Sequence, residues 1–124
     1  MAKSKESIEH IKVVDWIKAN EEQHPELSTI YHVPNSFFGT NFGVVQWLKK
    51  LGMRKGIYDL IVPIAKHNYC SYWIEFKAPG KKLTVEQKQI PIIINTYSDL
   101  PVKYEVFYDA ESCIKSLKIY LDIS

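Results

Sequence analysis

Cysteine is nearly missing: Cys70 and Cys113 are the only two in 124 residues. They lie far apart, with no Cys-x-x-Cys and no Cys/His spacing, which argues against a structural zinc site and against a disulfide framework. Long apolar runs are missing too. No stretch approaches the ~18 consecutive apolar residues of a membrane-spanning helix. The N-terminal MAKSKESIEH is charged and has no apolar signal core. These absences point to a reducing cytoplasm and away from a membrane. Charge of one sign is also scarce: sixteen Lys plus Arg against fourteen Asp plus Glu leave a net charge of +2. Bulk neutralisation of phosphate is thereby excluded, and any nucleic-acid site has to be a local basic patch. There is no internal repeat, low-complexity tract or linker.

What remains is the composition of a folded domain, 46% hydrophobic and 24% charged, with the 13% aromatic share serving as core filler. The length allows one domain, residues 1–124, around a single core.

Local patterns predict eight elements. Ser4 can cap a helix running to about residue 20, with Ile8, Ile11, Val14 and Ile17 at near-helical spacing. The polar run from Asn20 to Pro25 ends it. A strand is expected over 27–33, stopped by Pro34-Asn35, and a loop over 36–41. A second helix is expected over 42–51, closed by Gly52. Residues 59–65 read as an apolar strand whose internal Pro63 implies an edge or a bulge. Residues 66–71 read as a turn and residues 72–78 as an alternating strand. Thr84 can cap a third helix, which Pro91 should kink or shorten. A strand over 103–108 and a helix over 110–121 complete the order α-β-α-β-β-α-β-α, an α/β fold with a mixed central sheet flanked by helices.

The chemistry-bearing residues are Asp59, Glu75 and Lys77. Side chains alternate along a strand, so Glu75 and Lys77 share a face with Trp73, while Tyr72, Ile74 and Phe76 share the other. If the strands holding Asp59 and Glu75 are antiparallel neighbours, Asp59 lands beside Glu75 and Lys77. Two carboxylates and a backbone carbonyl make a hard oxygen site suited to Mg²⁺, and a neighbouring lysine can orient a water and counter phosphate charge. That is equipment for hydrolysing a phosphodiester. Glu-x-Lys alone arises by chance about once in a chain of this length. Glu86-Gln87-Lys88 repeats it on a predicted helix, where such residues do not face each other. The alternative is a solvent-facing strand pair.

Longer motifs carry more weight. From Ile8 to Leu121 the chain resembles a stand-alone VRR-NUC domain, a family of the PD-(D/E)XK nuclease superfamily with a restriction-endonuclease-like core. Trp16 and Pro25-Glu26-Leu27 resemble the family's first helix and its exit, and Val33-Pro34-Asn35 its Ile-Pro-Asn element. Lys55-Gly56-Ile57-Tyr58-Asp59-Leu60 resembles Gly-x-Pro-Asp-Leu. Residues 73–80 resemble Ile-Glu-x-Lys-x-Pro-Gly, and Leu83-Thr84-Val85-Glu86-Gln87 resembles Leu-Ser-x-x-Gln. The resemblance implies metal ligation by Asp59, Glu75 and the Phe76 carbonyl, with Lys77 catalytic and Gln87 facing the site. It also implies an acid on the first helix, matched best by Glu6 with Glu9 as the alternative. Glu6 shares a helical face with His10, Val13 and Ile17, and an exposed glutamate in a first turn is also ordinary helix-dipole chemistry.

The chain departs from the family at three places. Tyr58 replaces a proline, a change expected to be tolerated, and His10 replaces a usual glutamine. The loop Asn35-Ser36-Phe37-Phe38-Gly39 has lost two glycines and a cation. Phe37 and Phe38 fit a core or dimer surface, or stacking on an unpaired base. Lys49, Lys50, Arg54 and Lys55 precede Asp59, and Lys81 and Lys82 follow Lys77. With Asn35 they are candidate contacts to DNA. His24, His32 and His67 show no metal-ligand spacing among themselves, and only His32, beside Pro34-Asn35, invites a test.

The expected activity is that of an Mg²⁺- or Mn²⁺-dependent DNA endonuclease. With no separate sequence-reading module, the chain should select DNA structure. The resemblance implies branched DNA such as a Holliday junction, a homodimer that places two sites on two strands, and a bacteriophage setting. The rival reading is a non-catalytic nucleic-acid-binding module on the same fold, and a third is an unrelated α/β protein.

Overall fold

A computed structural model describes residues 4–34 and 41–124. The Ser4 hydroxyl accepts the Ser7 N–H at 3.1 Å and opens helix α1, Lys5–Asn20. Val13 and Ile17, one turn apart, are its buried residues. The strand expected over 27–33 is mostly replaced by a 3-10 helix, Pro25–Thr29. Pro25 presets its first turn, and the hydroxyls of Ser28 and Thr29 donate back to the carbonyls of Pro25 and Glu26 at 2.6 and 2.7 Å. Only Tyr31–His32 remains extended, as strand β1. Asn41 caps helix α2, Phe42–Lys50, which ends where Gly52 takes a φ of +102°.

Strand β2 is Leu60–Val62, shorter than expected at both ends. It is flanked by β1 and β3, so Pro63 marks neither an edge nor a bulge. It lacks the N–H that would extend the ladder, and pairing stops there. Strand β3, Ser71–Phe76, runs antiparallel to β2 and parallel to β4, Val102–Phe107. Helix α3, Val85–Tyr97, makes the crossover from β3 to β4, and helix α4, Ala110–Leu121, follows β4. The sheet order β1-β2-β3-β4 is mixed, as expected.

Alternation along β3 divides the molecule. Tyr72, Ile74 and Phe76 enter the main core with Val13 and Ile17 of α1 and Cys113, Leu117 and Tyr120 of α4. Both cysteines are free. On the other face Trp73 and Glu75 lie toward α3, where Tyr58 packs against Trp73 and Tyr104 with ring centroids 5.6 and 6.2 Å apart.

Pro91 neither ends nor shortens α3, which continues through it to Tyr97. A helical proline leaves the carbonyl four residues earlier without its donor, here that of Gln87. The Tyr58 hydroxyl supplies one at 2.7 Å. Among the described residues no helix is long and apolar enough to cross a membrane.

Candidate active site

The antiparallel register pairs Leu60 with Ile74, so the residue before β2, Asp59, stands opposite Glu75. Side chains lock the two together. The Asp59 N–H donates to Glu75 Oε1 at 3.1 Å, and the Phe76 N–H donates to Asp59 Oδ2 at 2.8 Å. Lys77 Nζ lies 3.1 Å from Glu75 Oε2. Glu75 is only 5% exposed, so it is no member of a solvent-facing pair.

Two carboxylates and one ammonium leave this pocket an excess negative charge in a desolvated setting. Burial, reinforced by the Asp59 charge, pushes the Glu75 pKa up to about 7. Burial also raises that of Asp59, against the hydrogen bond from Phe76. Both acids are held against ionisation by burial, and Glu75 also by the charge of Asp59, a penalty that a cation would relieve. With oxygen donors from both carboxylates, the residues fit a hard divalent ion.

Gln87 fixes the arrangement from α3. Its Oε1 accepts the Thr84 N–H at 3.0 Å while the Thr84 hydroxyl accepts the Gln87 N–H, a closed capping box. Its Nε2 donates to the Ile57 carbonyl at 3.4 Å, and its side chain stands close enough to the Glu75 carboxylate to favour the charged form. Gln87 thus ties the approach to β2, the middle of the site and the start of α3 to one another. Gly56 lets α3 come this close: at φ +90° a Cβ there would stand 2.7 Å from Ile90 Cδ1 and 2.8 Å from Glu86 Cβ.

The two candidate helix acids separate. Glu6 reaches the end of β3, where its Oε1 accepts the Ala78 N–H at 3.0 Å and meets Lys81 Nζ at 3.4 Å. Glu9 turns to α4 instead, accepting the Ala110 N–H at 3.0 Å and pairing with Lys12 at 2.9 Å. Lys49 and Lys50 occupy the last turn of α2. Lys49, Arg54 and Lys55 line one surface depression with Gly52 and Met53. Lys81 and Lys82 are exposed in the turn after β3. Asn35, Phe37 and Phe38 lie outside the described residues.

Two residues join the site that sequence spacing did not group. His32 on β1 pairs with Leu60, and its Nδ1 lies 2.7 Å from the Asp59 carbonyl oxygen. His10 on α1 stacks on Phe76, with centroids 5.1 Å apart, and meets His32 edge-on at 4.8 Å. Burial lowers the His10 pKa to about 4, so its ring is neutral at pH 7. The sequence signal for His10 was its place on the helical face of Glu6. Nothing in the spacing joined it to His32, 22 positions away.

Helices on both faces of a mixed four-stranded sheet, with acids gathered where the β2–β3 pair meets the third helix, define the restriction-endonuclease-like α/β class. Within that class the arrangement is similar to that of a VRR_NUC domain. A solved VRR_NUC domain protein superposes on the chain with a TM-score of 0.75 over 100% of this chain and 93% of its own, at 21% identity. That likeness is one of fold. No family model and no curated protein matches the sequence.

Proposed function

We propose that the chain is a divalent-metal-dependent DNA endonuclease of the VRR-NUC family. The observation that carries this reading is the Asp59–Glu75–Lys77 cluster, held at the end of an antiparallel strand pair with Glu75 buried, Asp59 half-buried and the lysine 3.1 Å from Glu75. Asp59, Glu75 and the Phe76 carbonyl would hold Mg²⁺ or Mn²⁺, with Glu6 at the outer side. When bound, the ion polarises the scissile phosphate and stabilises the departing oxygen. Lys77 orients the attacking water and counters the charge that builds on phosphorus. Gln87 keeps Glu75 and the Asp59 strand in register. The lysines and Arg54 on either side contact phosphates, which gives affinity without sequence. Nothing in the fold forms a separate sequence-reading element among the described residues, which favours recognition of DNA structure, with branched DNA the first candidate and a homodimer cutting two strands.

The deciding assay offers branched, nicked, single-stranded and linear duplex DNA with Mg²⁺, Mn²⁺ or EDTA. Cleavage of branched DNA that EDTA abolishes is expected. Tight binding with no cleavage in either metal would replace the nuclease by a non-catalytic binding module.

A further inference from the structure

We infer that His10 and His32 extend the Asp59 site into a mixed nitrogen–oxygen centre that takes a first-row transition-metal dication in preference to Mg²⁺. The inference rests on the nuclease reading only in taking Asp59 as a ligand. One ligand atom each from His10, His32 and Asp59 lies within 4.8 Å of the others. These three residues come from α1, β1 and the approach to β2, so the fold, and no local turn, assembles them.

The hydrogen bonding prepares His32 to ligate. A carbonyl oxygen can only accept, so the 2.7 Å contact requires Nδ1 of His32 to carry the proton it donates to Asp59. That fixes the tautomer and leaves the lone pair on Nε2. A ligating histidine is oriented in this way by its second nitrogen. His10 is held as a ring, stacked on Phe76 and edge-on to His32. Among the described residues no group hydrogen-bonds either of its ring nitrogens. Packing alone would need neither nitrogen. Imidazole donors suit transition metals, whereas Mg²⁺ prefers oxygen and keeps its waters. His10→Gln replaces that nitrogen donor with an amide that can offer oxygen.

The test is electron spin-echo modulation on the full chain loaded with Mn²⁺ alone, which detects directly bound nitrogen. Nitrogen modulation is expected in the wild type, weaker in His10→Gln, and lost in His10→Gln/His32→Gln, with folding followed by circular dichroism. His24→Gln/His67→Gln should leave it unchanged, because those histidines sit beside Glu26 and Asp122, away from the site. Wild-type protein that binds Mn²⁺ without nitrogen modulation overturns the inference even if the double variant does not fold. If that same protein still cleaves DNA, the nuclease reading survives. Nitrogen modulation without cleavage in any metal would keep the centre and remove the nuclease. Failure to bind Mn²⁺ at all would remove both.

Discussion

Among single residues, Glu75 and Lys77 govern the behaviour of the site. The lysine side chain is 14% exposed and sits 3.1 Å from a carboxylate that burial holds against ionisation. Lys77→Ala should abolish cleavage while DNA binding in Ca²⁺ and the folded state are kept, since the backbone of β3 does not depend on that side chain. Wild-type turnover in the variant would sink the mechanism. Glu75 also makes a prediction without any substrate. A carboxyl whose folded pKa, about 7, lies above its ordinary 4.5 stabilises the fold below pH 4.5 and loses that contribution as pH rises through 7. His10 runs the opposite way, its lowered pKa adding stability as pH rises through its own window. Subtracting one protein from another separates them. The melting temperature of Glu75→Gln relative to wild type, in EDTA, should climb from pH 4.5 to pH 7, and saturating Mn²⁺ should shrink the gap by stabilising the wild type. A flat difference across that range would mean Glu75 is not held against ionisation.

At the scale of elements, the link between α3 and the strand entry matters most. Tyr58 is fully buried, and its hydroxyl serves the one α3 carbonyl that Pro91 deprives of a donor. Tyr58→Phe should cost about 1–3 kcal/mol, because it leaves that carbonyl buried and unpaired. Restoring the missing N–H with Pro91→Ala should make the same tyrosine change cheaper. A double-mutant cycle by urea denaturation reads the coupling directly, and strict additivity would show that the hydroxyl and the proline do not share the carbonyl. This pair also shows what was legible beforehand. Helix α4, the Thr84 cap and the alternation of β3 follow from neighbours two to four residues apart, and the sequence displays such patterns openly. The Asp59–Glu75 juxtaposition was legible only on the condition of antiparallel pairing. The expected shortening at Pro91 does not occur, because the donor the proline removes is replaced by the hydroxyl of a tyrosine 33 positions away, which no local pattern displays. The 3-10 helix takes residues 27–29 out of the expected strand, and its hydroxyl-to-carbonyl bonds leave no hydrophobic period to display it. His10 and His32 meet through the register of β1 on β2, which a two-residue strand does not announce.

For the molecule as a whole, a net charge of +2 supplies almost no long-range field, so affinity for DNA has to come from where the cations are placed. They fall in two groups. Lys49, Arg54 and Lys55 ring a depression after α2, with Lys50 beside them, and Lys81 and Lys82 follow β3. Lys81 is 68% exposed in its contact with Glu6, an ion pair weak enough in water for the lysine to be shared with a phosphate. Each phosphate contact removed should reduce the magnitude of the log K against log salt slope by roughly one. Lys81→Ala/Lys82→Ala should therefore lower the slope by about two and weaken binding to all sequences about equally. Lys49→Ala/Lys50→Ala should do the same if the end of α2 lies along the bound strand. Binding measured in Ca²⁺, which permits occupancy without hydrolysis, keeps this effect apart from the chemistry at Lys77. A loss of affinity confined to branched DNA would assign these lysines to the junction arms instead of a common backbone track. If both double variants keep the wild-type slope, the DNA does not cross these loops, and the cations bracketing Asp59 and Lys77 are only a solvated rim.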